Sequence, residues 1–115
     1  MHIISNRMLT LKRTRELLSD PNKWNQFANM FDANGKVTID FRRAESYCLL
    51  GAINVCALGD TTAAKQLQES IEDNMLFTNE QRNKLTAWND DQKRTHEEVL
   101  LLLDKTMTAM KESEE

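Results

Sequence analysis

The feature that most constrains this chain is the run from Tyr47 to Leu58, "YCLLGAINVCAL", where Asn54 is the one strongly polar side chain. Placed on a helix at 100° per residue, the run is apolar nearly all round, and such a helix is buried. It is too short to cross a bilayer, which takes about 20 apolar residues. The spacing predicts a central helix over residues 41–58. Ala44, Cys48, Gly51 and Val55 would then share one narrow face of small side chains, where Gly51 lets a second backbone come close. Leu49, Leu50, Ile53 and Ala57 would cover the opposite side. Gly59 is placed to end the helix as a C-cap residue.

The rest of the chain must enclose this element. Residues 6–18 read as a first helix carrying Leu11, Thr14 and Leu18 at spacings of three and four, and Pro21 stops it. In residues 22–40, Asp32–Gly35 is a turn signal. Phe27–Phe31 before it and Val37–Ile39 after it alternate as the arms of a short β-hairpin. Trp24 would cover the junction between hairpin and helices. Asp60 can cap a helix over 61–75, on which Ala63, Leu67, Ile71 and Met75 make one stripe. Thr78 with Gln81 spells a capping box before a short helix bearing Leu85 and Trp88. Thr95 with Glu98 spells another before the last helix. There Val99, Leu103, Thr106 and Met110 form the buried face and Leu101 points elsewhere. Residues 111–115, "KESEE", read as a frayed tail.

The expected fold is therefore mainly α: one domain over residues 1–115, about five helices and one short hairpin. Only 3 glycines and 1 proline occur, which argues against a β-sandwich with its many turns. A domain of 115 residues has a modest core, so self-association is a reasonable way to gain burial. The net charge of -3 argues against a general nucleic-acid binder. The charge is uneven. Residues 1–45 hold 8 basic against 5 acidic side chains, and residues 46–115 hold 7 against 13. Such a gradient suits either two solvated faces or a pole that draws an anionic partner. No secretory leader is evident and the two cysteines do not form a disulfide framework, so a reducing cytoplasm is expected.

Few residues suggest catalysis. Cys48 is a candidate nucleophile and His96 its candidate base. His2 is the other histidine. A catalytic thiol needs a base in reach and a partly exposed site that favours thiolate. His96 sits at a helix start, where the dipole favours the neutral imidazole. Cys48, inside the expected helix, gains no such help and reads as core. No CxxC or HxxxH pair announces a metal, and Asn89, Asp90 and Asp91 lack the spacing of a calcium loop. No P-loop or dinucleotide fingerprint is present, so no cofactor is expected. Basic residues could still grip an anionic small ligand. Arg42 and Arg43 would open the central helix and Arg94 precedes another helix start, both places where free N–H groups favour anions. Asn54, buried among apolar neighbours, would have to bond a nearby loop or line a cavity.

Two stretches carry a resemblance. "AESYCLLGAI" at 44–53 and "WNDDQKRTHEEVLLLLDK" at 88–105 resemble a family of small bacterial and bacteriophage proteins to which no activity has been assigned. "KWNQFANMFDANGKVTID" is similar to that family's segment between a tryptophan and an Asp-Gly turn. Tyr47 stands where tryptophan is common, Phe27 where glycine is common, and "DQKRT" where "APGRT" is common. The resemblance implies the same small helical fold and brings no activity. In it, Trp24, Cys48, Gly51, Trp88, Asn89, Asp90, Arg94 and Thr95 recur. Packing and capping can explain them, with Asn89 and Asp90 holding the Arg94 guanidinium as an alternative. The family's occurrence in phages suggests an accessory protein that binds a host protein. A small-ligand module and, last, a cysteine hydrolase are the competing readings.

Overall fold

In the computed structural model, which describes residues 4–75 and 84–114, the chain starts with Ser5 capping helix α1, Asn6–Leu17. The Ser5 hydroxyl accepts the Met8 N–H at 3.0 Å, satisfying one of the free donors of the first turn. Met8, Leu11 and Leu18 turn inward with Thr10 and Thr14. Both threonines return their hydroxyls to the carbonyl four residues back, at 2.8 Å, so neither brings an unpaired polar group into the core. After a single 3-10 turn at Pro21–Lys23 come strands β1, Met30–Asp32, and β2, Ala44–Tyr47. Four more helices follow among the described residues: α2, Leu49–Cys56; α3, Thr61–Glu72; α4, Lys84–Asp90; and α5, His96–Glu114.

The mainly α fold with one hairpin is as expected, but the central helix is shorter than its apolar pattern suggests. Residues 41–43 are a turn and 44–47 a strand, so the helix begins at Leu49 and Ala44 is not on it. Two things fix that start. The exposed edge of β1 needs backbone partners, and β2 supplies them in antiparallel register, with Met30 opposite Tyr47 and Phe31 opposite Ser46. The free N–H groups of the new helix also find acceptors at this point. Cys48 Sγ takes the Gly51 N–H at 3.4 Å, and Asn89 Oδ1 takes the Leu49 N–H at 3.1 Å.

The hairpin likewise differs from its expected pairing. The tight turn forms at Asp32–Gly35, with Gly35 at φ 75° and its N–H on the Asp32 carbonyl. Phe31 does face Val37, but in one isolated bridge; the longer partner of β1 is β2.

The helices surround one core built on Leu11, Leu18, Leu49, Ile53, Leu67, Ile71, Leu85, Val99 and Leu103, all fully buried. Gly51 allows the expected close approach: a Cβ there would overlap the Asn29 carbonyl. The expected C-cap is displaced: Ala57 caps α2, Leu58 already turns left-handed at φ 53°, and Gly59, at φ 87°, follows it. Asp60 caps α3 through the Ala63 N–H at 2.9 Å. Thr95 and Glu98 cap α5 reciprocally, at 2.9 and 3.2 Å. The Thr78–Gln81 box lies outside the described residues. Helix α5 stays regular through Glu114, which lies 3.6 Å from Arg7. Arg15 grips Asp104 with two bonds, at 2.8 and 3.3 Å, tying α1 to α5. Among the described residues no helix is long and apolar enough to cross a membrane.

Candidate functional site

Helix α4 ends in Trp88, Asn89 and Asp90, and their polar groups organise the surrounding loops. Asn89 is fully buried. Its Oδ1 accepts from Trp24 Nε1 at 2.8 Å and from the Leu49 N–H; its Nδ2 donates to the Asn25 carbonyl at 3.2 Å and to Asp90 Oδ1 at 2.9 Å. Indole and backbone N–H groups only donate, so the orientation of the amide is determined. Asp90 Oδ1 also accepts the Phe27 N–H at 2.9 Å, and Gln26 Nε2 donates to the carbonyls of Asn89 and Asp91. The loop from Trp24 to Asn29 is thus fastened to α4 and to the start of α2. Phe27 is held at φ 72°, a region that costs a non-glycine residue roughly 1–2 kcal/mol. A glycine would take this conformation without that cost.

The expected nucleophile is differently placed than its sequence context suggests. Cys48 is the N-cap of α2 rather than an interior residue. It is nonetheless buried, with its sulfur engaged by the Gly51 N–H and 3.6 Å from Asn29 Oδ1. Burial pushes its thiol up, away from thiolate. His96 does open α5, but its Nε2 lies 2.6 Å from the Leu18 carbonyl oxygen, which holds the proton on Nε2. The ring packs near Trp24 and has no hydrogen bond to Cys48. Cys56 is buried beside Thr14 and its thiol is also pushed up by burial. His2 lies outside the described residues.

The three arginines do not form the expected pair of helix-start anion sites. Arg42 and Arg43 do not open a helix; they sit in the turn before β2, highly exposed, beside Asp40 at 3.1 and 3.8 Å. The Arg42 side-chain hydrogen bond holds the Asp40 carboxyl below the usual carboxylate range. Arg94 does precede α5, but its guanidinium lies 3.8 Å over the Trp88 ring. It donates to the Trp88 carbonyl at 2.9 Å and to Glu98 at 3.0 Å. Asn89 and Asp90 therefore hold the 24–29 loop and not Arg94. Among the described residues, no three His, Cys, Asp or Glu side chains gather as a metal ion would require.

Asn54 is exposed rather than buried, on the outer side of α2. It lines a groove of about 350 Å³ with Met30, Ile39, Phe41, Val55 and Leu58. Around it the usual distribution of apolar side chains is reversed: Ile39 is 96 % exposed, Phe41 62 % and Leu58 72 %, and Val37, in the segment leading to Ile39, is 67 % exposed. Sequence reasoning missed this face, although its signal was present. The stretch "KVTIDFR" alternates polar and apolar, but the turn at 40–43 and the pairing of β1 with β2 leave its apolar side outward. A contiguous exposed apolar patch of this kind marks an interaction surface more often than an accident of packing.

Buried thiols, an asparagine clamp and an apolar-lined groove define a small α-rich scaffold with a two-stranded hairpin. The chain belongs to a family of unknown function (DUF6197), whose pattern matches residues 8–109. No curated protein and no solved structure matches it.

Proposed function

We propose that this chain is a non-catalytic binding protein, of bacterial or bacteriophage origin, that acts in the cytoplasm by docking a host protein on the face formed by Val37, Ile39, Phe41 and Leu58. The observation that carries the reading is the exposure of Ile39, Phe41 and Leu58 around one groove, with Val37 exposed two residues before Ile39. Leaving them in water forgoes burial worth about 1.5–3 kcal/mol for each such side chain, a cost that a covering partner removes. The engaged and buried state of Cys48, with His96 bonded elsewhere, supports binding over hydrolysis.

Native sizing of the protein at its natural level in cells tests this. The wild type is expected in an assembly larger than its 13.3 kDa chain. A variant with Ile39→Ser and Leu58→Ser, equally stable when purified, is expected to run as free chain. Identical migration of the two would refute the reading.

A further inference from the structure

Resting on that reading, we infer that the partner is an extended, acid-flanked segment of another protein, which adds as a short strand to the free edge at Val37 and Ile39. The backbone between Lys36 and Arg42 divides by parity. The even-numbered N–H groups are all used within the chain. Lys36 donates to Asp32 Oδ1, Thr38 to the Met30 carbonyl, Asp40 to the Thr38 hydroxyl and Arg42 to Asp40 Oδ1. The N–H and C=O groups of Val37 and Ile39 have no partner among the described residues. They lie on the side of this segment away from β1, since Phe31 and Val37 face one another between the bonds made by Lys36 and Thr38. A sheet edge with unmet donors and acceptors is a template for an added strand.

The side chains agree with this edge. Ile39 and Phe41 line the groove that runs to Val55 and Leu58, so alternate residues of an added strand would drop into it. The chain bends at Ile39, so the backbone pairing is short and the groove must supply most of the hold.

Charge then selects the partner's sign. The nearby carboxylates are engaged and fewer than the cations. Asp32 accepts the N–H groups of Asn34 and Lys36, Asp60 accepts that of Ala63, and the single carboxylate of Asp40 faces both Arg42 and Arg43, leaving a net positive charge there. The cations point outward. Arg42 and Arg43 have side chains 78 % and 79 % exposed, and Lys36 is exposed beside Val37. Arg13, reaching the Cys56 carbonyl at 3.5 Å, puts a fourth positive charge at the Leu58 end of the groove. A segment with apolar residues at alternate positions and Asp or Glu beside them meets both features.

Selection of short random peptides displayed against the intact chain tests this, followed by amide hydrogen exchange on the complex. The expected winners alternate apolar residues with Asp or Glu. They slow exchange at the Val37 and Ile39 amides about tenfold or more. Arg42→Glu with Arg43→Glu, remote from the core, weakens them about tenfold. Three outcomes overturn the inference. The winners are neutral or basic, or none emerges. Acidic winners leave both amides unprotected, as a helix lying in the groove would. Or light scattering shows a dimer that Ile39→Ser abolishes, making a second copy the occupant. If any of these occurs while the cellular assembly still depends on Ile39 and Leu58, the partner's chemistry is wrong and the binding role stands.

Discussion

Replacing Asn89 with alanine removes the amide that joins the 24–29 loop, the first turn of α2 and the end of α4. Its four hydrogen bonds are not equal in consequence. Asp90 Oδ1 keeps the Phe27 N–H, and the Asn25 carbonyl lies in a half-buried loop that water can reach. The Leu49 N–H, in a fully buried residue, and the Trp24 indole N–H lose their acceptor outright. A buried donor left unpaired costs about 1–3 kcal/mol, so two predict a loss of about 4 kcal/mol. For a domain of this size that is a large part of the whole stability, about 5–15 kcal/mol, and lowers Tm by roughly 15 °C. Asn89→Asp is a sharper control. It keeps the Oδ1 acceptor of both N–H groups and the side-chain shape, but it loses the donor and sets a second carboxylate against Asp90, so it should do no better than alanine. Asn74→Ala, at a half-buried residue with one bond to the Ser70 carbonyl, should cost less than about 1 kcal/mol. Urea unfolding followed by tryptophan fluorescence measures all three. A loss below about 1 kcal/mol in Asn89→Ala, with native circular dichroism, would refute the clamp.

Three further outcomes follow from local features. Phe27→Gly relieves a left-handed backbone worth about 1–2 kcal/mol and adds about 0.5–1 kcal/mol of chain entropy. It should therefore raise stability by up to about 1 kcal/mol, and a clear loss would mean that the exposed ring packs on something essential. Glu98 is held below the usual carboxylate range chiefly by the Thr95 backbone N–H. Its contribution is thus present above the ordinary glutamate value and lost as pH falls through the lowered one. The Tm gap between wild type and Glu98→Gln should be open at neutral pH and close on acidification; a gap that widens in acid would contradict the assignment. Cys48 and Cys56, buried with thiols pushed up, should react with iodoacetamide at neutral pH only as fast as the chain unfolds. Rapid labelling of the native protein would contradict this.

Helix signals carried by local chemistry were legible in the sequence. Asp60 before α3 and Thr95 with Glu98 before α5 each act where their residue types suggest, whereas α2 is capped at Ala57, two residues before the expected Gly59. The burial of Cys48 was legible too, from its apolar neighbours. The start of α2 was not. Periodicity runs on through Ala44–Tyr47, and only the hydrogen-bond needs of β1 and the remote Asn89 decide that these residues extend. The role of Asn89 was hidden for the same reason, since its partners Trp24, Asn25 and Leu49 lie 40 to 65 residues away. The alternation at Lys36–Arg42 gave a face but not its direction. Which side of a short strand meets the core is set by its pairing, and here the pairing turns Val37, Ile39 and Phe41 to solvent.

The proposed docking role rests on that outward face, and site-specific photocrosslinking in cells tests it most directly. A benzophenone side chain placed at Ile39 is expected to give one discrete adduct between this chain and a different protein. The same group at Glu69, exposed on α3, is expected to give none. Adducts of equal yield from both positions, or none from Ile39, would contradict it.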